Sequence, residues 1–277
     1  MRLKGKVAVV TGSGPNINGA IAYGLADEEA KLVCIDKRAD YAEACARAIT
    51  ARGGEAVAVV CDVTREEEVQ AAIAQAVAAL GPIDILVNGA VLQIRKGLLD
   101  VSAEEFRRQV DIALAGSFLF TKHVARHMIE QGRQGSIVLI GSTEGHQGNI
   151  GNIAYGVAKA GLLHFTKCAA MELAEFGIRV NSLSPTGTNP AEGLARAKEW
   201  GVSWEQGLAG RPRPDMSFGD QGIPLGRRPS ASDYAKGIVF LASEDSEMVT
   251  GIDLRVDGGA VARYWRWNPG TEIKPAR

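Results

Sequence analysis

Short apolar runs alternate with longer amphipathic stretches along almost the whole chain. Seven runs of strand length, rich in Val, Ile and Leu, end at Thr11, Asp36, Val63, Asn88, Ser142, Ser184 and Val256. Six stretches of helical periodicity lie between them, near residues 19–30, 41–52, 65–80, 103–131, 154–176 and 231–243. Strands this uniformly apolar are buried on both faces, which is typical of a parallel sheet between two layers of helices. The pattern predicts an α/β fold, a doubly wound (Rossmann-type) seven-stranded parallel sheet in a single domain, residues 1–262.

The composition argues against several classes of function. With 31 Lys and Arg against 32 Asp and Glu, the net charge of -1 gives no reason to expect a nucleic acid or an anionic membrane as partner. A small molecule is expected instead. The four cysteines, Cys34, Cys45, Cys61 and Cys168, show no C-x-x-C spacing, which argues against a metal site and a disulfide framework. No apolar run approaches the roughly 18 residues of a membrane helix, so a cytoplasmic location is expected.

Two segments interrupt the alternation. Residues 185–229 contain many Gly and Pro residues and follow the sixth strand, at the edge where open α/β sheets bind ligands. We expect this segment to be a lid over the substrate, with a disordered surface insertion as the alternative. The tail, residues 263–277, is rich in aromatic and basic side chains, which predicts that it packs on a neighbouring subunit or closes over that subunit's active site.

A glycine-rich turn, TGSGPNINGAIA, joins the first strand to the first helix. Free N–H groups and the helix dipole at such a helix N-terminus hold a pyrophosphate. The second strand ends at Asp36, where a carboxylate can accept hydrogen bonds from the ribose hydroxyls of adenosine and repel a 2′-phosphate. NAD is therefore the predicted cofactor. NADP is less favoured, although Lys37 and Arg38 could soften the repulsion.

Tyr155 and Lys159 are four residues apart in a predicted helix, so their side chains share one face. A neighbouring ammonium favours the phenolate form of a tyrosine, which can take the proton of an alcohol while hydride leaves for a nicotinamide. Ser142, at the end of the fifth predicted strand, can donate a hydrogen bond to the reacting oxygen. These three side chains are the predicted catalytic residues, and this chemistry requires no metal.

The chain resembles the short-chain dehydrogenases/reductases from Thr11 to Gly259, with DILVNGA at 84–90, YGVAK at 155–159 and IRVNSLSP at 178–185 among the matching pieces. The resemblance implies a homo-oligomeric enzyme, dimeric or tetrameric, with Ser142, Tyr155 and Lys159 at its catalytic centre. Together with the glycine-rich turn and Asp36, it identifies the predicted cofactor-binding residues: Gly12, Asn16, Ile17, Asn18, Asp36, Asp62, Val63, Asn88, Gly89, Ala90, Tyr155, Lys159, Pro185, Gly187 and Thr188.

The sequence departs from the pattern of that family at Asn16 and Asn18 in the phosphate turn, at Gly89 and Val91 after the fourth strand, at Ala113 in the fourth helix, and at Thr186 between Pro185 and Gly187. The turn is expected to survive because Asn tolerates left-handed backbone angles well. Ala113 stands where an asparagine normally supports a water that leads from the lysine to solvent. Asp111 lies on a different helix face and is a poor substitute. We hypothesise that water held by backbone carbonyls carries the proton between the lysine and solvent.

The residues expected to face the substrate come from three separate segments. They are Gln93, Glu144, His146, Gln147 and Trp200. The stretch between Ser142 and Tyr155 is polar, so a polyol, a sugar or a cyclic diol competes with a plain apolar ketone as substrate. The predicted activity is therefore an NAD-dependent oxidoreductase acting on a secondary alcohol. The alternative is a catalytically weak, NAD-binding regulatory or scaffold protein of the same fold.

Overall fold

The computed structural model describes residues 1–204 and 222–263. Its strands are β1 (Val7–Thr11), β2 (Lys31–Asp36), β3 (Ala56–Val60), β4 (Ile85–Asn88), β5 (Gly135–Ile140), β6 (Ile178–Pro185) and β7 (Asp253–Val256). Its α-helices are α1 (Ile17–Asp27), α2 (Ala39–Ala51), α3 (Glu66–Leu80), α4 (Ala103–Val110), α5 (Gly116–Glu130), α6 (Ile153–Leu173), α7 (Ala191–Trp200) and α8 (Ala231–Ala242).

The strands form one seven-stranded sheet in the order β3-β2-β1-β4-β5-β6-β7, and every neighbouring pair is parallel. The order reverses between β1 and β4, because the chain builds outward from β1 first on one side and then on the other. At such a switch point the loops beyond the strands separate and leave a crevice for a ligand. The predicted doubly wound fold is confirmed.

Helices cover both faces of the sheet. Ile21 on α1, Ile49 on α2 and Ile238 on α8 belong to one apolar layer. On the opposite face, α3, α5 and α6 form the second layer, which includes Phe120 and Leu162. Burying an aliphatic or aromatic side chain of this size contributes about 1.5–3 kcal/mol. Packing of these two layers against the sheet holds the strands in place. The candidate site lies at the ends of these strands.

Three details differ from the sequence prediction. The strands β3 and β5 end at Val60 and Ile140, short of Val63 and Ser142. The predicted fourth helix, 103–131, is divided by a π-helical segment, Asp111–Ala115. Within 185–229 an additional helix, α7, forms after Pro190 and ends at Trp200, because the left-handed φ of 68° at Gly201 stops it.

Two of the earlier expectations fall partly outside the described structure. Residues 205–221 of the predicted lid lie there, as do residues 264–277 of the predicted tail. Within residues 1–204 and 222–263, no helix is both long and apolar enough to span a bilayer. The same ranges hold no group of three or more His, Cys, Asp or Glu side chains placed to bind a metal ion.

Candidate active site

The turn after β1 is shaped to accept a phosphate group. Gly12 has a φ of 70°, and a Cβ there would lie 2.7 Å from the Cα of Ala90. Glycine is therefore needed for the turn to lie so close to the end of β4. The side chain of Asn16 does not cap α1, and the first turn of α1 has no acidic residue. The N-terminus of α1 is thus suited to an anion.

The two asparagines of this turn do not use left-handed backbone. Asn16 has a φ of -83°, Asn18 lies inside α1 after Ile17, and the positive angle belongs to Gly12. The expectation that Asn is tolerated here for its left-handed backbone angles was therefore wrong. The side-chain oxygens of both asparagines are instead buried without a hydrogen-bond partner among the described residues.

Asn18 bridges the crevice between β1 and β4. Its Nδ2 donates to the carbonyl oxygens of Gly12 at 2.8 Å and of Gly89 at 2.9 Å. A Cβ added to Gly89 would collide with the side-chain amide of Asn18. Asn18 and Gly89 therefore share one space, which a side chain at residue 89 can enter only if Asn18 gives up its present position. The family's pattern has glycine at residue 18 and asparagine at residue 89, and this chain has the reverse. The two departures therefore offset each other in side-chain volume.

Asp36 ends β2 beside this turn. Burial raises its pKa from 3.8 to about 6, against a smaller lowering by the hydrogen bond from the backbone N–H of Arg38. Lys37 forms an ion pair with Asp62, and Arg38 with Asp40, both at 2.5 Å. The two cations beside Asp36 are thus already engaged with carboxylates, which leaves less positive charge to neutralise a 2′-phosphate.

The other predicted cofactor residues of this half lie at neighbouring strand ends. Asp62 and Val63 follow β3, and Asn88, Gly89 and Ala90 end or follow β4. The side-chain amide of Asn88 and the backbone N–H of Gly89 are hydrogen-bonded to threonine hydroxyls of the protein. These contacts hold the end of β4 in place at the switch point.

Ser142, Tyr155 and Lys159 converge beyond the C-terminal end of β5. The hydroxyl of Ser142 lies close enough to Tyr155 to lower its pKa, and it accepts the backbone N–H of Glu144 at 3.1 Å. Tyr155 and Lys159 are one turn apart on α6, with the Lys159 Nζ 5.5 Å from the centroid of the Tyr155 ring. That Nζ donates to the carbonyl oxygen of Ile140 at 2.5 Å. The three predicted catalytic side chains are therefore brought together.

In the free protein Tyr155 is a neutral phenol at ordinary pH. Burial raises the pKa of Tyr155 to about 12, more than the hydrogen bond from Ser142 lowers it, and the charge of Glu144 raises it further. Burial also lowers the pKa of Lys159 to about 8. That the ammonium of Lys159 favours the phenolate form of Tyr155 stays a prediction, and in the free protein this ammonium donates to the carbonyl oxygen of Ile140.

Ala113 lies in the middle of the π-helical segment and is buried, at 1% exposure. Its carbonyl oxygen accepts the hydroxyl of Ser117 at 2.6 Å. Single π-turns inside helices are frequent at functional sites. Asp111, at the start of the segment, is exposed, as expected for a residue on another face. No side chain at residue 113 therefore leads from Lys159 to solvent.

The segment after β6 carries Pro185, Gly187 and Thr188, the remaining predicted cofactor residues. The additional residue between them, Thr186, is held by α8, because the hydroxyl of Tyr234 donates to its carbonyl oxygen at 3.1 Å. Thr188 donates to the same carbonyl oxygen at 3.2 Å. The insertion is thus fixed by hydrogen bonds rather than left as a loose loop.

The five predicted substrate residues fall into different places. Glu144 accepts the amide of Asn152 at 2.7 Å, and its charge acts on Tyr155, so it lies at the site. Gln93 accepts a long hydrogen bond of 3.5 Å from Arg95, whose charge also acts on Tyr155.

The other three predicted substrate residues have no contact with Tyr155 among those that the structure describes. His146 pairs with Asp253 of β7 at 2.7 Å, and Gln147 is exposed. Trp200 is buried at 8% exposure, and its Nε1 donates to the hydroxyl of Tyr23 at 2.8 Å. Trp200 therefore packs α7 onto α1 instead of facing the reacting atoms. An amphipathic helix does not reveal from its own sequence which neighbour its apolar face meets.

Sequence reasoning missed three residues of the site. Asn152, Tyr234 and Arg196 bond to groups 8, 48 and 181 positions away in the chain. Asn152 directly precedes α6, and its place three residues before Tyr155 was a usable signal. The other two contacts depend on tertiary packing and carry no local signal.

Comparison with known proteins agrees with this geometry. Residues 6–200 match the family described as short chain dehydrogenase. The cis-4-hydroxycyclohexanecarboxylate dehydrogenase of Sinomonas cyclohexanicum is 35% identical over 258 residues, which cover 93% of this chain and 97% of that protein.

Two solved structures are also similar. One is an NAD+-bound xylitol dehydrogenase, with a TM-score of 0.83 and 31% identity, covering 94% of this chain and 100% of that chain. The other is a gluconate 5-dehydrogenase from Burkholderia cenocepacia J2315 in complex with NADP and tartrate, with a TM-score of 0.84 and 31% identity, covering 95% and 98%. Both nicotinamide cofactors thus occur among proteins of this fold and similarity.

Proposed function

Because this chain belongs to the short-chain dehydrogenase family, we propose that it is an NAD-dependent oxidoreductase whose acid/base is Tyr155. It would transfer a hydride between a secondary alcohol and the nicotinamide. The observation that carries this proposal is the convergence of Ser142, Tyr155 and Lys159 at the edge of the sheet that holds the phosphate turn. These are the groups that alcohol oxidation needs, namely a proton acceptor, a hydrogen-bond donor and a cation.

The residues at the switch point fit a dinucleotide. The N-terminus of α1 would hold the pyrophosphate, Asp36 the adenosine ribose, and Lys159 the nicotinamide ribose. Support for NAD over NADP comes from the carboxylate of Asp36 and from the ion pairs that already engage Lys37 and Arg38. A 2′-phosphate would have to displace those pairs and lie against Asp36.

During oxidation, Tyr155 would accept the proton of the alcohol hydroxyl as the C–H hydride leaves, so that the C–O single bond becomes a carbonyl. Bound NAD would supply the hydride acceptor. Ser142 would donate a hydrogen bond to the substrate oxygen. Tyr155 has a pKa of about 12 in the free protein, so a positive charge must approach it before it can act as a base. Lys159, whose pKa of about 8 leaves it cationic near pH 7, is the side chain that can supply it.

A hydroxylated or carboxylated substrate is the class we propose. Glu144, held by Asn152, offers an acceptor for an additional hydroxyl, and Arg95 offers a positive charge near Tyr155. The relatives named for xylitol, gluconate and cis-4-hydroxycyclohexanecarboxylate act on polyhydroxylated or carboxylated alcohols, which agrees with this polarity. A polyol, a sugar acid or a cyclic hydroxy acid is therefore preferred to an apolar ketone.

Absorbance of the reduced nicotinamide tests the proposal. The purified protein is incubated with NAD or NADP and a panel of polyols, sugar acids and cyclic hydroxy acids, beside the Tyr155→Phe variant as control. We expect turnover with NAD that the variant lacks. Binding of NAD without turnover of any member would favour the alternative, a nucleotide-binding scaffold. Failure to bind either nucleotide would overturn both.

We also propose a cytoplasmic homo-oligomer, a dimer or a tetramer. All four cysteines are free, which suits a reducing compartment. Phe118 on α5 and Val157 and Met171 on α6 are 46%, 49% and 67% exposed, and large apolar side chains exposed in this way are typical of a subunit contact. Light scattering on the purified protein would measure the assembly, and a monomer at micromolar concentration would contradict it.

A further inference from the structure

The helix α7 lies directly on the phosphate turn. A Cβ added to Gly193 of α7 would lie 2.9 Å from the side-chain oxygen of Asn16, and one added to Gly19 would lie 2.8 Å from the ring of Trp200. One glycine on each element therefore lets the two surfaces meet. The segment expected to cover the substrate thus rests, through α7, on the expected pyrophosphate site.

Arg196 is the polar centre of this contact. Its Nη1 donates to the carbonyl oxygens of Pro15 at 2.6 Å and of Asn16 at 3.1 Å, both in the phosphate turn. The side chain is nine-tenths buried, and the nearest described carboxylate, on Glu192, is 3.9 Å away. Burial lowers the pKa of Arg196, and the negative charge of Glu192 acts in the opposite direction. Burying a cation costs stability unless it is closely paired.

Two polar atoms of this contact have no hydrogen-bond partner among the described residues. They are the Nε of Arg196, a donor, and the Oδ1 of Asn16, an acceptor. Native proteins rarely leave such atoms unpaired in the interior. Because both belong to the contact between the turn and α7, they indicate that this contact is completed by a group outside the described residues, for which a bound ligand is one source.

We propose that Arg196 is a positioning residue for the cofactor, which holds the phosphate turn from α7 and supplies the positive charge that a pyrophosphate there requires. This rests on the proposed function, since it presumes that the turn binds a nicotinamide dinucleotide. Coupling between two sites is reciprocal. Docking of α7 strengthens dinucleotide binding, and a bound dinucleotide in turn holds α7 on the turn.

Other bonds keep α7 in place when Arg196 is changed. Trp200 donates to the hydroxyl of Tyr23, and the hydroxyl of Tyr41 donates to the carbonyl oxygen of Ser203 at 2.8 Å. A substitution of Arg196 is therefore expected to leave α7 folded and its C-terminal end attached to α1 and α2. The effect on cofactor binding can then be measured separately from the folding of α7.

The test compares Arg196→Met and Arg196→Lys with a matched control, Lys198→Met, which removes an exposed cation from the same helix. Calorimetric titration with NAD measures the dissociation constant, and amide hydrogen exchange of residues 191–200 measures the docking of α7. We expect Arg196→Met to weaken NAD binding about tenfold, within the usual range of coupling between sites. Arg196→Lys should recover part of this loss, and Lys198→Met should bind as the wild type does.

The cofactor should protect α7 from exchange in the wild type and in Lys198→Met, but much less in Arg196→Met. If Arg196→Met binds NAD as tightly as the wild type does, the inference is overturned while the proposed function stands. The inference is also overturned if the variant loses equal thermal stability with and without NAD, which is the result of a purely structural role. If the wild type binds no nicotinamide nucleotide, the proposed function itself fails.

Discussion

The two ends of the cofactor crevice depart from the family's pattern to very different degrees. At the catalytic end, Ser142, Tyr155 and Lys159 are the residues that the pattern contains, and Ala113 is the one departure, at a supporting asparagine. At the phosphate end, Asn16, Asn18 and Gly89 all differ from it. Catalysis needs particular atoms, a phenolic oxygen and an ammonium nitrogen, that other residue types do not supply. Phosphate binding depends on backbone N–H groups, so side chains there can change if their volumes still match.

The largest effect is expected from Tyr155→Phe, at the catalytic end. The substitution removes the oxygen that exchanges the proton, and general acid/base groups contribute about 100- to 10,000-fold to rates. Turnover should therefore fall by about a thousandfold. The affinity for NAD, measured by titration, should change little, because the phosphate turn is untouched. A variant that kept a tenth of the wild-type rate would remove Tyr155 from the proposed role.

The second-largest effect tests whether the side chains at residues 18 and 89 occupy the same space. In Gly89→Asn the new side chain would collide with Asn18, and overpacking of this kind costs about 1–3 kcal/mol. We expect NAD to bind roughly 10- to 100-fold more weakly, with a lower melting temperature. The double variant Asn18→Gly with Gly89→Asn should bind NAD nearly as the wild type does. If the double variant is as impaired as Gly89→Asn alone, the two residues are not a pair.

A smaller effect is expected for Asp36→Asn. The amide cannot accept charge-assisted hydrogen bonds from the ribose hydroxyls, and hydrogen bonds to charged groups contribute about 1.5–3 kcal/mol. NAD affinity should fall roughly tenfold or more, whereas NADP affinity should rise or stay constant. Turnover at saturating cofactor should change little. Parallel losses for both cofactors would show that Asp36 does not discriminate between them.

The same variant should change the stability of the free protein with a definite sign. The pKa of Asp36 is raised in the folded state from 3.8 to about 6, so the folded form binds more protons than the unfolded form between these values. The wild type therefore loses stability as the pH rises through that window. Asp36→Asn, which has no charge to bury, should melt higher than the wild type at pH 8. At pH 4 the two should be nearly equal, and the reverse order would contradict the buried-charge account.

The smallest effect is expected for Ala113→Asn, which restores the residue usual in the family. Lys159 is held by the carbonyl oxygen of Ile140, and the carbonyl oxygen of Ala113 is already bonded to Ser117. Turnover should change by less than about threefold, and its pH profile should not shift. A tenfold gain in turnover with a shifted pH profile would show that the missing asparagine limits the proton path in the wild type.

The fold and the convergence of Ser142, Tyr155 and Lys159 could be predicted from sequence because their signals are local. Strand and helix periodicities identify the elements, and the spacing of Tyr155 and Lys159 lies within one helix. The failures concern contacts between distant segments. The exclusion of a side chain at Gly89 depends on Asn18, and the role of Trp200 depends on Tyr23, far along the chain. The raised pKa of Tyr155 arises from burial, which no spacing of residues reveals.

The shared space of Asn18 and Gly89 also constrains evolutionary history. Suppose that an ancestor carried the family's usual glycine at residue 18 and asparagine at residue 89. Acquiring Asn18 first would have placed two side chains in one space, with the collision described above. Losing the asparagine first would have left a cavity but no collision. From such an ancestor, the route that changes residue 89 before residue 18 is therefore the one that never places two side chains in the same space.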